Sequence, residues 1–164
     1  MDDIDTIKAQ WAQQRPNLDT DPMVLIGRLM RVSQHLSRQM ADTFAKFDLT
    51  SASFDVLATL LRSGPPHALS PNQLLSTMMI TSGTMTNRID QLEKQQLVKR
   101  IRSTKDRRSV QIALTDKGRR LIDEAVTAHV ATQIRLVSAL PAQDREALDQ
   151  LLRKYLVNMA ENSR

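Results

Sequence analysis

The 164 residues contain no cysteine, which excludes disulfides, thiolate metal sites and any cysteine-based peroxide sensor. Aromatic residues make up only 3% of the chain and glycines number four. The core must therefore come from Leu, Ile, Val, Met and Ala, and few segments alternate with period two. Both features point to a mostly helical protein. No apolar run approaches the length of a membrane span, and Asp2, Asp3 and Asp5 give the N-terminus the wrong charge for a signal peptide. A cytoplasmic location is the expectation. His35, His67 and His129 stand far apart, without metal-ligand spacing. There is no Gly-rich phosphate loop and no nucleophile elbow. No catalytic, metal or cofactor site is expected.

What is present is charge, unevenly placed. The chain carries 23 Lys and Arg against 18 Asp and Glu, a net charge of +5. The window 81–120 holds eleven basic and four acidic side chains and is +7 by itself, leaving the rest at −2. A local basic excess is what neutralising a phosphate backbone requires. An apolar content of 41% is enough for a core.

Along the chain, residues 1–20 form a polar extension with Trp11 and Leu18 as isolated apolar anchors and room for a short helix from Ile4 to Gln14. Asp21-Pro22 reads as a helix start, with Asp as N-cap and Pro in the first turn. Leu25, Leu29, Val32, Leu36 and Met40 then make one apolar stripe on a long helix that ends near Phe47. A second helix is predicted from Ser51 to Arg62, stopped by Gly64-Pro65-Pro66. After a short strand or connector at His67-Ala68-Leu69, Ser70-Pro71-Asn72-Gln73 has the form of a capping box that starts a third helix.

The fourth helix is the candidate for reading DNA. Met85, Ile89 and Leu92 fall at i, i+4 and i+7 and face inward. Thr81 or Ser82 can cap it. Ser82, Thr84, Thr86, Asn87, Arg88 and Gln91 are the candidate DNA contacts, because Asn, Arg and Gln can each make paired bonds to base edges in a major groove. A basic hairpin follows, with strands Val98–Arg102 and Ser109–Leu114. In the second strand Val110, Ile112 and Leu114 should be buried, alternating with Gln111 and Ala113. The charged loop between them holds Asp106, Arg107 and Arg108, and an arginine there suits a minor groove. Two short helices followed by a basic hairpin make a winged helix-turn-helix spanning residues 49–115. Thr115 caps a long helix that reaches Val137, Leu140-Pro141 breaks it, and a last helix carries Leu148, Leu151, Leu152, Tyr155, Leu156 and Met159. Residues 21–48 and 116–164 hold more apolar stripe than a small winged helix can bury, which suggests dimerisation helices; an intrachain helical bundle is the other reading.

With these phrases in place, the chain resembles the MarR family of bacterial transcriptional regulators over about residues 22–160. The resemblance rests on Thr84 to Glu93, on Leu97-Val98-Lys99-Arg100, and most of all on Asp106-Arg107-Arg108 followed by Leu114-Thr115-Asp116-Lys117-Gly118. It implies a homodimer bound to a palindromic operator in double-stranded DNA, usually as a repressor released by a small aromatic or phenolic acid. It also implies that Asp106 orients Arg108 toward the minor groove, with Arg107 on phosphate or sharing that role. Trp11, Leu18-Asp19, Asp21-Pro22-Met23, Phe54 to Leu57 and Thr86-Asn87-Arg88 resemble more narrowly the urate-responsive, PecS-like branch. That branch implies a ligand site made of Trp11, Asp55, Arg88 and Arg100, in which guanidinium groups pair with a planar anion and an aromatic ring stacks on it. The effector would then be urate-like first and salicylate-like second. Two other functions fit the same elements: an effector-independent or architectural DNA-binding protein, and a helical protein–protein adaptor.

Overall fold

A computed structural model describes residues 2–78, 85–102 and 110–162. The elements in order are α1 (Asp3–Gln14), α2 (Asp21–Ala45), α3 (Ser51–Arg62), β1 (Ala68–Leu69), α4 (Pro71–Thr77), α5 (Met85–Lys94), β2 (Val98–Arg102), β3 (Val110–Leu114), α6 (Asp116–Val137) and α7 (Ala142–Asn162). The chain is mostly helical with one small antiparallel sheet, as expected from its composition. It divides into two compact units, residues 1–42 and 43–164.

In the N-terminal unit, Asp2 caps α1 in a reciprocal box with Asp5. Three ion pairs from the first turn then tie α1 to α2: Arg28 bonds Asp2 at 2.9 Å and Asp5 at 2.5 Å, and Arg31 bonds Asp3 at 2.7 Å. Ile4 is buried against Gly27, where an added Cβ would lie 3.1 Å from Ile4 Cδ1. Gly27 is thus the notch that lets α1 approach. α2 begins at Asp21 rather than Pro22, because the Thr20 carbonyl already accepts the N–H of Val24 at 3.2 Å.

The second unit holds the winged helix. Thr50 and Ser70 cap α3 and α4, and the Ser70–Gln73 box closes with bonds of 3.0 and 3.2 Å. The core is made of Val56, Leu57 and Leu60 of α3, Leu74 of α4, Ile89 and Leu92 of α5, Ile112 of β3, and Ile122 and Ala125 of α6, all close to fully buried. The sheet order is β1-β3-β2, with Arg100 opposite Ile112. The expected alternation in β3 fails at two places. Ala113 is buried together with Ile112 and Leu114, and Val110 is exposed. β3 is the central strand and contacts α3, α4 and α6, and both of its faces are covered at Ile112, Ala113 and Leu114. Val110 lies at the far end, where the hairpin leaves the core.

Thr115 caps α6 by accepting the N–H of Gly118, and its hydroxyl also donates to the Gln96 carbonyl at 2.7 Å. α6 and α7 are long, yet only Gly118, Ile122 and Ala125 of α6 are buried, and every described side chain of α7 is exposed.

Candidate nucleic-acid interface

α5 decides what this surface can read. Met85, Ile89 and Leu92 are buried and anchor its inner side. At 3.6 residues per turn, Asn87, Gln91 and Lys94 fall on the opposite side, and all three are exposed, as is Thr86. A helix presenting an amide pair and a lysine outward can place Asn and Gln on base edges and Lys on phosphate. Lys94 was not among the residues picked out from sequence; its signal was the position seven residues after Asn87. Ser82 and Thr84, and the wing residues Asp106, Arg107 and Arg108, lie outside the described residues.

The two flanks of α5 are held by different partners. Arg88 lies on the side facing α3. It is half-buried, and its Nη1 is buried with no hydrogen-bond partner among the described residues. Asp55 of α3 is half-buried too, and its Oδ2 is likewise unpartnered. Burial pushes the Asp55 carboxyl above its ordinary pKa, and the charges of Arg62 and then Arg88 pull it partly back. Arg62 is fastened between Thr59 Oγ1, at 3.1 Å, and the carbonyl of Thr77 at the end of α4. Sequence reasoning did not single out Arg62, because its partner fifteen residues away is a backbone carbonyl.

On the other flank, Asp90 and Glu93 bind Arg100 of β2. Arg100 Nη2 donates to Asp90 Oδ1 at 2.5 Å, Nη1 donates to Glu93 Oε2, and the Arg100 backbone N–H donates to Glu93 Oε1 at 3.2 Å. These bonds hold Arg100 above its ordinary pKa, the Asp90 bond contributing most. Of the four residues assigned by resemblance to one ligand site, the structure brings Asp55 and Arg88 together and commits Arg100 to the opposite flank of α5. Trp11 belongs to the N-terminal unit. There it lines a crevice of about 150 Å³ with Ile4, Ile7, Met23, Val24 and Gly27.

Among the described residues no cluster of His, Asp and Glu could hold a metal ion, and no described helix is long and apolar enough to cross a membrane. A capped helix-turn-helix with an outward amide pair, followed by a hairpin on a three-stranded sheet, defines a winged helix DNA-binding protein. Residues 49–110 match the MarR family. The chain is 40% identical to the HTH-type transcriptional regulator PecS of Dickeya dadantii over 159 residues, covering 95% of this chain and 96% of that protein. Among solved structures, Bordetella bronchiseptica BpsR, whose DNA binding is regulated by 6-hydroxynicotinic acid, matches with a TM-score of 0.67 and 29% identity, over 79% of this chain and 90% of that one. A mutant of E. coli MarR complexed with operator DNA matches with a TM-score of 0.70 and 24% identity, over 85% and 99% of the two chains. The protein belongs to the MarR family. It is a DNA-binding transcriptional regulator, not an enzyme, and its likeness to PecS runs the length of the chain.

Proposed function

We propose that the protein is a ligand-responsive repressor that binds a palindromic operator as a homodimer and is released by a small planar aromatic acid. Asn87 and Gln91 read base edges, Lys94 neutralises phosphate, and Arg107 and Arg108 serve the minor groove with Asp106 orienting Arg108. Ser82, Thr84 and Thr86 are further candidate contacts to the DNA. The exposed apolar faces of α2, α6 and α7 join the two copies.

The observation that carries the ligand reading is the pair Asp55 and Arg88, each with a buried polar atom that has no described partner. An unsatisfied buried polar atom is costly, and a guanidinium beside a carboxyl of raised pKa suits a planar acid that accepts from one and donates to the other. Because Arg88 sits on the recognition helix, a ligand that moves it changes the presentation of Asn87 and Gln91. By linkage such a ligand weakens DNA binding only as far as it prefers the displaced helix, typically by about 1–3 kcal/mol. BpsR offers a precedent for regulation by an aromatic acid in this fold. The resemblance to the PecS-like branch also assigns Trp11 and Arg100 to the ligand; Asp55 and Arg88 carry the reading without them.

Calorimetry of the wild-type protein with urate, salicylate and a neutral purine tests this, alongside competition against a duplex selected from a random pool. A planar acid should bind and release the duplex, and Asp55→Ala should abolish that binding. If no acid binds, the effector-independent DNA-binding protein is the correct reading. Trp11→Ala tests the aromatic assignment separately.

A further inference from the structure

Ile89 and Leu92 seat α5 in the core, but apolar contacts fix the roll of a helix only loosely. The roll decides whether Asn87 and Gln91 meet base edges or miss them. We propose that Arg100 is a positioning residue for sequence-specific DNA binding: from strand β2 it grips Asp90 and Glu93 on consecutive turns of α5 and sets the roll that turns Asn87, Gln91 and Lys94 outward.

The geometry of the grip supports this. Asp90 and Glu93 are three residues apart and share one flank of α5. The Arg100 guanidinium spans both, with one terminal nitrogen on each carboxylate. Glu93 uses its second oxygen on the Arg100 backbone N–H. β2 is an edge strand, and Glu93 satisfies the N–H of Arg100 within it. One carboxylate held by a side chain and by the backbone of the same residue fixes both the roll of α5 and its height along the strand. The register of β2 is itself fixed by β3, where Arg100 lies opposite the fully buried Ile112. The stability contribution of Arg100 should be small, since all three side chains are partly exposed. Its effect belongs to recognition. This role concerns DNA alone and does not depend on any small molecule.

The test compares affinity for a duplex selected on the wild-type protein with affinity for a scrambled duplex, both without effector. A misplaced α5 loses base contacts while phosphate contacts persist. Arg100→Ala should lower the selected-to-scrambled ratio by about tenfold, the scale of coupling between contacting residues, with scrambled affinity held within about twofold. Arg100→Lys should recover only part of the ratio, because an ammonium cannot span two carboxylates as a guanidinium does. In an Asp90→Asn/Glu93→Gln background, Arg100→Ala should change the ratio by less than about twofold. Equal losses on both duplexes would make Arg100 a direct phosphate contact and overturn the proposal, as would an unchanged ratio or equal losses in both backgrounds. Thermal melting checks folding. If Arg100→Ala loses its transition, Arg100→Gln, which keeps most of the stem, takes its place in the same comparison.

Discussion

Gly118 and Leu97 approach so closely that no side chain fits between them. A Cβ added to Gly118 would lie 1.9 Å from the Leu97 carbonyl oxygen and 2.8 Å from its carbonyl carbon. The same carbonyl accepts the N–H of Thr115 at 3.1 Å, while Thr115 caps α6 through Gly118. The Leu-Thr-x-x-Gly phrase is therefore a joint: threonine starts the helix, and glycine lets that start rest on the residue leading into the wing. Gly118→Ala must shift backbone rather than a flexible side-chain end. It should destabilise the protein by at least about 2 kcal/mol, despite alanine's better helix propensity. Denaturant titration measures this, and a neutral or stabilising result would contradict the close contact.

Asn87 and Lys94 share the outward side of α5 but should fail differently. Lys94→Ala should weaken selected and scrambled duplexes alike and reduce the slope of log affinity against log salt by about 0.9. Asn87→Ala should cost about 1–3 kcal/mol on the selected duplex, leave the salt slope unchanged and relax preference at one base pair. Fluorescence anisotropy across a salt series separates the two. A salt-slope change from Asn87→Ala would place that side chain on phosphate.

Much of this arrangement is local in sequence and could be read there. The Ser70–Gln73 box, the Thr115 cap and the spacing of Met85, Ile89 and Leu92 each depend on residues within one or two helical turns, and each stands as expected. The limits of α3 and β2 followed for the same reason. What sequence could not show was which flank of α5 meets which neighbour. Arg88 looked like one of several outward polar residues until α3 supplied Asp55, and nothing in the sequence around Arg100 announced its pairing with Asp90 and Glu93 across a turn. Ala113 looked like an outward strand position because period-two patterning assumes one open face, whereas α3, α4 and α6 all contact its strand. In each case a partner on another element decides the outcome.

The docking of α1 on α2 depends on charge. The Arg28 side chain bonded to Asp2 lowers the Asp2 pKa to about 2, from an ordinary 3.8, and Asp5 is lowered as well. A depressed carboxylate supports docking fully above its ordinary pKa, and that support is lost as pH falls through about 2. At neutral pH the lever is salt, because these pairs are exposed and screened. Lys8, paired with Asp21 at 2.6 Å, reports on the docked helix. Limited trypsin cleavage after Lys8 should accelerate at high ionic strength, and in Arg28→Ala should already be fast at low ionic strength. Cleavage insensitive to both would mean that the Ile4–Gly27 contact alone holds α1.

The apolar surface of α7 should be covered by a second copy. Leu151 and Leu156 are 66% and 65% exposed, and a helix with all its described side chains exposed leaves much of its apolar face open in a single chain. Replacing both leucines with glutamate should yield a monomer with weakened operator binding, since paired half-sites about one helical turn apart need two linked recognition helices. Sedimentation velocity decides this; a wild-type monomer at micromolar concentration would remove the dimer from the proposed function.

His129 predicts a pH dependence of stability. Its ring sits 5.1 Å from Phe44 and 4.9 Å from Phe54, which stack on each other at 4.1 Å. Its Nδ1 is buried with no partner among the described residues. Burial disfavours the imidazolium, so the folded-state pKa lies below the ordinary 6.5. As pH falls, the unfolded chain takes up a proton at this residue before the folded one does. The neutral ring therefore stabilises the fold fully above about pH 6.5, and this contribution declines as pH drops from there through the folded-state value. Attraction between an imidazolium and the two phenyl faces opposes the loss and limits its size. The His129 contribution should lower the wild-type melting temperature on going from about pH 7.5 to about pH 5.5. His129→Phe keeps a third ring in the cluster without a titrating group and should melt nearly independently of pH over that interval. Because both proteins share every carboxylate and the other two histidines, their difference isolates His129. If the two melting curves shift in parallel, protonation of this ring is not linked to folding.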